Sequence, residues 1–155
     1  MNKIIRIFLT TFLLASCGTK PDVRTEKLNA YLDAQFRTKA DTTWRGIVVL
    51  TMNGCFSCNR YFLESMTRQP DISGYAVLVS ASPGTIPAGA YEGKQADTVW
   101  KDYQDRFYDT QLMKSSGIIY LRQGVVDTIV DLRSEGLEQQ VEYMQKRFAT
   151  AQADF

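Results

Sequence analysis

Residues 46–52 read Gly-Ile-Val-Val-Leu-Thr-Met, an almost unbroken apolar and β-branched run. A strand with one wet face alternates apolar and polar residues. This one does not, so it belongs where both faces are covered, as in the middle of a parallel sheet. The period changes directly behind it. Cys55, Cys58, Tyr61, Phe62, Ser65 and Met66 recur at helical spacing, which predicts a helix over about 56–67, ended by residues 68–74. A Cys-x-x-Cys pair therefore opens a helix just after a buried strand.

The rest of the chain fits the same architecture. Leu28, Tyr31, Leu32, Gln35 and Phe36 predict an amphipathic helix over about 25–38. Residues 75–81 read as a second buried strand. Residues 82–93 hold two prolines and three glycines and read as a loop. Ala96, Val99, Trp100, Tyr103 and Phe107 then stand at helical spacing and predict another helix. Strands at 117–121 and 125–132 flank Arg-Gln-Gly, a hairpin signal in which Gly124 supplies the turn. Ser134 is placed to cap a last helix with Leu137, Val141, Met144 and Phe148 on one face. The expected order is α, β, α, β, α, β, β, α. The early strands should be parallel and the last two antiparallel, in one mixed sheet with helices on both faces.

Charge excludes more than it suggests. Eighteen basic and seventeen acidic side chains leave a formal charge of +1, with no basic block of the kind that binds nucleic acid. The chain has no histidine. That removes a Ser-His-Asp triad, a Cys-His nucleophile, every His-containing zinc site and c-type haem attachment. Asp102, Asp105 and Asp109 read as a solvated helix face rather than a cation cluster. Trp44 and Trp100 read as core.

The first residues read as targeting. Lys3 and Arg6 precede a short apolar stretch, too short for a permanent span, and Leu-Ala-Ser-Cys follows at 14–17. This resembles a bacterial lipobox, in which Cys17 is lipidated and becomes the new N-terminus. The expected organisation is a signal peptide over 1–16, a lipidated tether over 17–25 and a domain over 26–155. The processed chain would carry sixteen basic and seventeen acidic groups. Cys55 and Cys58 would be its only free thiols, in a compartment where disulfides persist.

The pair has three chemical readings. The first is redox exchange. Unpaired N–H groups and the helix dipole favour a thiolate on Cys55, at the exposed mouth of the helix, and Cys58, one turn on, faces the core with Tyr61 and Phe62. Cys55 then attacks and Cys58 resolves. The second is a soft-metal site, such as Cu(I), on two thiolates with a weak extra ligand. The third is a local staple, although so short a loop gives little entropic stabilisation. Arg60 is either a partner for the thiolate or a solvated helix residue. The 82–93 loop, with Ile86, Pro87 and Tyr91, is a candidate wall of a substrate groove.

The strand followed by Cys-Phe-Ser-Cys resembles the thioredoxin-like superfamily, in particular its exported, membrane-tethered bacterial members. By order of elements the resemblance covers about residues 40–150. It implies a three-layer α/β/α fold with a mixed central sheet, and thiol–disulfide exchange with protein substrates. Cys55 and Cys58 match the catalytic cysteines, with Phe56 and Ser57 as the intervening pair that tunes the potential. Gly54 stands where many members have tryptophan, and Val49 where classical thioredoxins carry a buried acid. Ser116, beside Ser115, stands where a cis-proline faces the cysteines, so these two serines are the expected substrate-facing residues. No cofactor or bound metal is expected. The expected setting is a lipid-anchored protein facing the periplasm, with a membrane electron donor as a candidate partner. The alternatives are copper binding or a redox-inactive binding module.

Overall fold

A computed structural model describes residues 22–69 and 71–153. The proposed signal peptide, Cys17 and the tether up to residue 21 lie outside the described residues. Helix α1 spans Val23–Phe36, capped by Asp22, whose carboxylate accepts the Arg24 N–H, and ended by Arg37 in the left-handed region. Residues 23–25 therefore belong to the domain and not to a tether. Strand β1 is Gly46–Thr51, helix α2 Phe56–Thr67 and strand β2 Tyr75–Ser80. Strand β3, Thr98–Asp102, is followed by a 3-10 turn at Arg106–Thr110. Strands β4 (Gly117–Arg122) and β5 (Val125–Asp131) form the hairpin, and helix α3 covers Leu137–Ala153.

The helix expected over the 96–107 stretch is a strand and a 3-10 turn. Thr98 to Asp102 pair in parallel with Ala76 to Ser80 along the edge of the sheet. Exposure alternates along the strand with period two. The helical spacing of Ala96, Val99, Trp100 and Phe107 arose by coincidence, from a short strand that turns before the next apolar residue. Trp100 stacks on Phe36 with ring centroids 5.5 Å apart and meets Trp44 edge-on at 5.1 Å. That aromatic packing favours the strand over local propensity.

The sheet order is β3-β2-β1-β4-β5. β1, β2 and β3 are parallel, while β4 and β5 are antiparallel to their neighbours. Gln123 and Gly124 both have positive φ, at 53° and 77°, which closes the hairpin in the tight turn that matches strand twist. On one face, α1 buries Leu28, Tyr31 and Leu32 against Ile47, Val49, Leu78 and Ile119. On the other, α2 and α3 bury Phe62, Met66, Met144 and Phe148 against Val48, Leu50, Val77 and Ile118. Each such large side chain contributes roughly 1.5–3 kcal/mol on burial. The result is a three-layer α/β architecture around a mixed sheet. At the start of α3 the Gln140 side chain bridges the Arg133 N–H and the Glu135 carbonyl, where Ser134 was expected to act as cap.

This topology brings several loops to one end of the sheet. The C-terminal ends of β1, β2 and β3 and the N-terminal end of β4 all lie there. So do the Cys55 loop, the start of the 81–97 connection, Asp105 and the 114–116 segment.

Candidate functional site

Cys55 and Cys58 form a disulfide, with Cα atoms 5.2 Å apart. Cys55 is the N-cap of α2, and its Sγ accepts the Cys58 N–H at 3.3 Å. Its carbonyl accepts the Asn59 N–H at 2.9 Å and begins the helix. The two sulfurs differ in access. Cys58 is fully buried against the apolar cluster, while Cys55 is partly exposed. Phe56 and Ser57 point outward. Phe56 is 62% exposed, and the Ser57 hydroxyl lies 3.5 Å from the Cys55 sulfur. The expected helical stripe is only partly kept, because Tyr61 is exposed and Asn59 takes the buried place. Arg60 is exposed and pairs with Glu64 at 3.2 Å, so its charge is already engaged along the helix surface.

Gly54 has φ +74°, and a Cβ built there would lie 2.2 Å from the Lys114 carbonyl oxygen. No residue with a side chain fits this position without moving the chain. That is the physical reason a bulky residue does not precede Cys55.

Ser115 and Ser116 do sit beside the disulfide loop, but they do not face outward. Ser116 is fully buried. Its hydroxyl accepts the Thr51 N–H at 3.0 Å and donates to the Thr51 carbonyl at 2.9 Å. A side chain thus makes two backbone-type contacts just past the last paired residues, Val49 and Gly117. The Ser115 hydroxyl reaches both Asp131 and the Leu132 carbonyl. Asp131 also accepts the N–H groups of Lys114, at 3.2 Å, and of Ser115, at 2.9 Å. The expectation that these serines meet a substrate is therefore corrected. Their hydroxyls are consumed in holding β4 and β5 against β1.

Asn59 was missed from the sequence and is the centre of the local network. Its amide donates to the Asn53 carbonyl at 2.6 Å and accepts the Ser116 N–H at 2.7 Å. A fully buried asparagine with both ends satisfied ties the disulfide loop to the 114–116 segment. The available signal was a lone amide four residues after Cys55, on the same helical face as Phe62 and Met66. Asn53 continues the chain outward by donating to Asp105, which also accepts from the Ser80 hydroxyl at 2.7 Å. Asp102 is 4% exposed and accepts from Tyr31 Oη at 2.9 Å and the Phe107 N–H at 2.8 Å. Asp102 and Asp105 are therefore parts of an interior hydrogen-bond network and not a wet helix face. Burial, then the hydrogen bond to Asp102, holds the Tyr31 phenol far above its usual pKa.

The 82–93 loop does emerge beside Cys55. Ile86 is buried and pins it, while Pro87 is exposed and faces a cavity of about 340 Å3 shared with Met52, Phe56 and Leu63. Tyr91 is half-buried against the core behind this wall. Among the described residues no group of three His, Cys, Asp or Glu side chains is placed to hold a metal ion. No helix among them is long and apolar enough to cross a membrane. Comparisons with protein-family models, curated proteins and solved structures find no match to this chain.

Proposed function

We propose that this protein is a thiol–disulfide oxidoreductase of the bacterial cell envelope, similar in its Cys-Phe-Ser-Cys strand–helix unit to the thioredoxin-like superfamily. The observation that carries the reading is the asymmetric disulfide at the start of α2. Cys55 is partly exposed and lies at the helix N-terminus, where N–H groups stabilise a thiolate; Cys58 is fully buried. A staple has no need of this asymmetry, nor of a place at the C-terminal end of a parallel sheet, where open α/β folds put their sites.

A substrate thiolate attacks Cys55 Sγ, the Cys55–Cys58 bond breaks, and Cys58 leaves as a thiolate that takes up a proton. The substrate is now held to Cys55 as a mixed disulfide. Its second thiolate attacks its own bound sulfur and releases Cys55. The substrate dithiol is oxidised by two electrons and the protein is reduced; the reverse sequence reduces a substrate disulfide. The soft-metal alternative counted Ser116 as a weak extra ligand, and that hydroxyl is hydrogen-bonded to Thr51 on both its donor and acceptor sides.

The proposed setting rests on Leu-Ala-Ser-Cys at 14–17: lipidation of Cys17 would tether the domain to a membrane, with a membrane electron donor and protein thiols as partners. The deciding experiment equilibrates the protein in glutathione buffers of graded potential and counts the alkylated thiols. We expect both thiols to appear together at one midpoint, and catalysed exchange with a model protein disulfide. A pair that stays oxidised throughout and catalyses nothing would reduce Cys55–Cys58 to a staple.

A further inference from the structure

We propose that the groove between Phe56 and Pro87 is the substrate subsite of this disulfide, and that it takes a large apolar side chain close to the cysteine of a polypeptide substrate. The inference rests on the proposed exchange and adds the direction of approach and the class of substrate. Two flanks border Cys55. On one, Gly54 is pressed against the Lys114 carbonyl, and the N–H groups of Lys114 and Ser115 are both bound to Asp131. An extended chain arriving there finds these two donors already used.

The other flank is open and apolar. Phe56 follows Cys55 directly and is 62% exposed, and Met52, Leu63 and Pro87 line the groove with it, alongside Arg60, Glu64 and two threonines, one of them Thr85. A cavity of about 340 Å3 suits one large side chain and lies at the lower end of volumes that hold organic groups. Its walls are fixed in advance. Buried Ile86 anchors the loop, and Lys94 Nζ donates to the Thr67 carbonyl at 3.0 Å, fastening the end of α2 to the connection that forms the other wall. The two charged residues of the lining, Arg60 and Glu64, are exposed and paired with each other at 3.2 Å, so their charges offset. The groove thus recognises its occupant by apolar burial, and an exposed aromatic next to the reacting sulfur is the kind of anchor that dominates such contacts.

The test uses two synthetic dithiol peptides, identical except for Phe or Ser beside one cysteine, with dithiothreitol as a third reductant. Rates of exchange with the oxidised full-length protein are compared. We expect the Phe peptide to react about tenfold faster than the Ser peptide, the scale of one side chain in an apolar pocket. Thr85→Glu and Pro87→Glu, two independent variants, should each bring that ratio close to one. Lys114→Glu, on the other flank, should keep it. A wild-type ratio near one, or a ratio that survives both groove variants, overturns the subsite while leaving the exchange reading intact. Loss of the ratio in Lys114→Glu but not in the groove variants overturns the assigned flank. Failure to react with dithiothreitol as well as both peptides defeats the exchange reading and this inference with it.

Discussion

Cys55 and Cys58 differ in what surrounds them, and their chemistry should differ accordingly. After reduction, Cys55 keeps the Cys58 N–H within reach, while Cys58 is enclosed by apolar side chains that penalise charge. Iodoacetamide should therefore modify Cys55 first, below the free-thiol pKa of about 8.5. The Cys58→Ser variant should accumulate mixed disulfides through Cys55, seen as reductant-sensitive bands, and Cys55→Ser should not. Faster alkylation of Cys58 would reverse the assigned roles. Gly54 offers a second test at this scale. Alanine there meets both a left-handed backbone and the Lys114 carbonyl, so Gly54→Ala should cost about 1–3 kcal/mol, read as a lower denaturant midpoint at unchanged slope. A neutral result would mean that the 52–54 loop moves away freely.

At the scale of elements, α2 is held at its start by hydrogen bonds as well as by its apolar face. Asn59 joins the loop after β1 to the segment before β4. Asn59→Ala would leave the Ser116 N–H and the Asn53 carbonyl without these partners, at about 1–3 kcal/mol for each buried group left unpaired. We expect faster hydrogen exchange at the first turn of α2 and at Ser116, and faster alkylation of Cys58 in the reduced protein. Unchanged exchange at both places would show that packing of Phe62 and Met66 alone positions the helix. Asn59→Asp should fare no better, since it loses the donor to Asn53 and sets a carboxylate against that carbonyl.

For the whole molecule, the interior network makes stability sensitive to alkaline pH. Tyr31 is held protonated by burial and by its bond to Asp102, and burial also raises Tyr75 and Tyr120. In the unfolded chain these phenols ionise near pH 10. Above that pH the unfolded state binds fewer protons than the fold, so stability, complete below about pH 10, falls as pH rises. Urea midpoints measured from pH 8 to 11 should show this fall. Tyr31→Phe should be less stable at pH 8, since Asp102 loses a donor, but should lose less on going to pH 11. An equally steep fall in that variant would remove Tyr31 from the effect. The anchoring proposal is tested on the intact protein in cells: it should partition with membranes and take up labelled fatty acid, and Cys17→Ala should abolish both.

The apolar run 46–52, the helical stripe behind it, the second buried strand and the Gln123-Gly124 hairpin were all legible locally. Each of these elements carries its own period or turn chemistry, and each lies within a residue or two of its expected place. The cysteine pair was legible for the same reason, and so was its asymmetry, with Cys58 turned to the core and Cys55 at the helix mouth; the structure adds the closed disulfide. Tertiary structure decided what local patterns could not carry. Thr98–Asp102 became a strand because the edge of β2 was available to pair with it and Phe36 and Trp44 were there to receive Trp100. Ser116 turned inward because its hydroxyl bonds Thr51 where the ladder between β1 and β4 ends, and Ser115 because its hydroxyl bonds Asp131 and Leu132 at the end of β5. Asn59 became the link between the loop after β1 and Ser116, which lies 57 residues beyond Asn59 in the chain. Each of these outcomes depends on a partner distant in sequence, and a hydrogen bond or ring contact across that distance leaves no periodic trace in the chain itself.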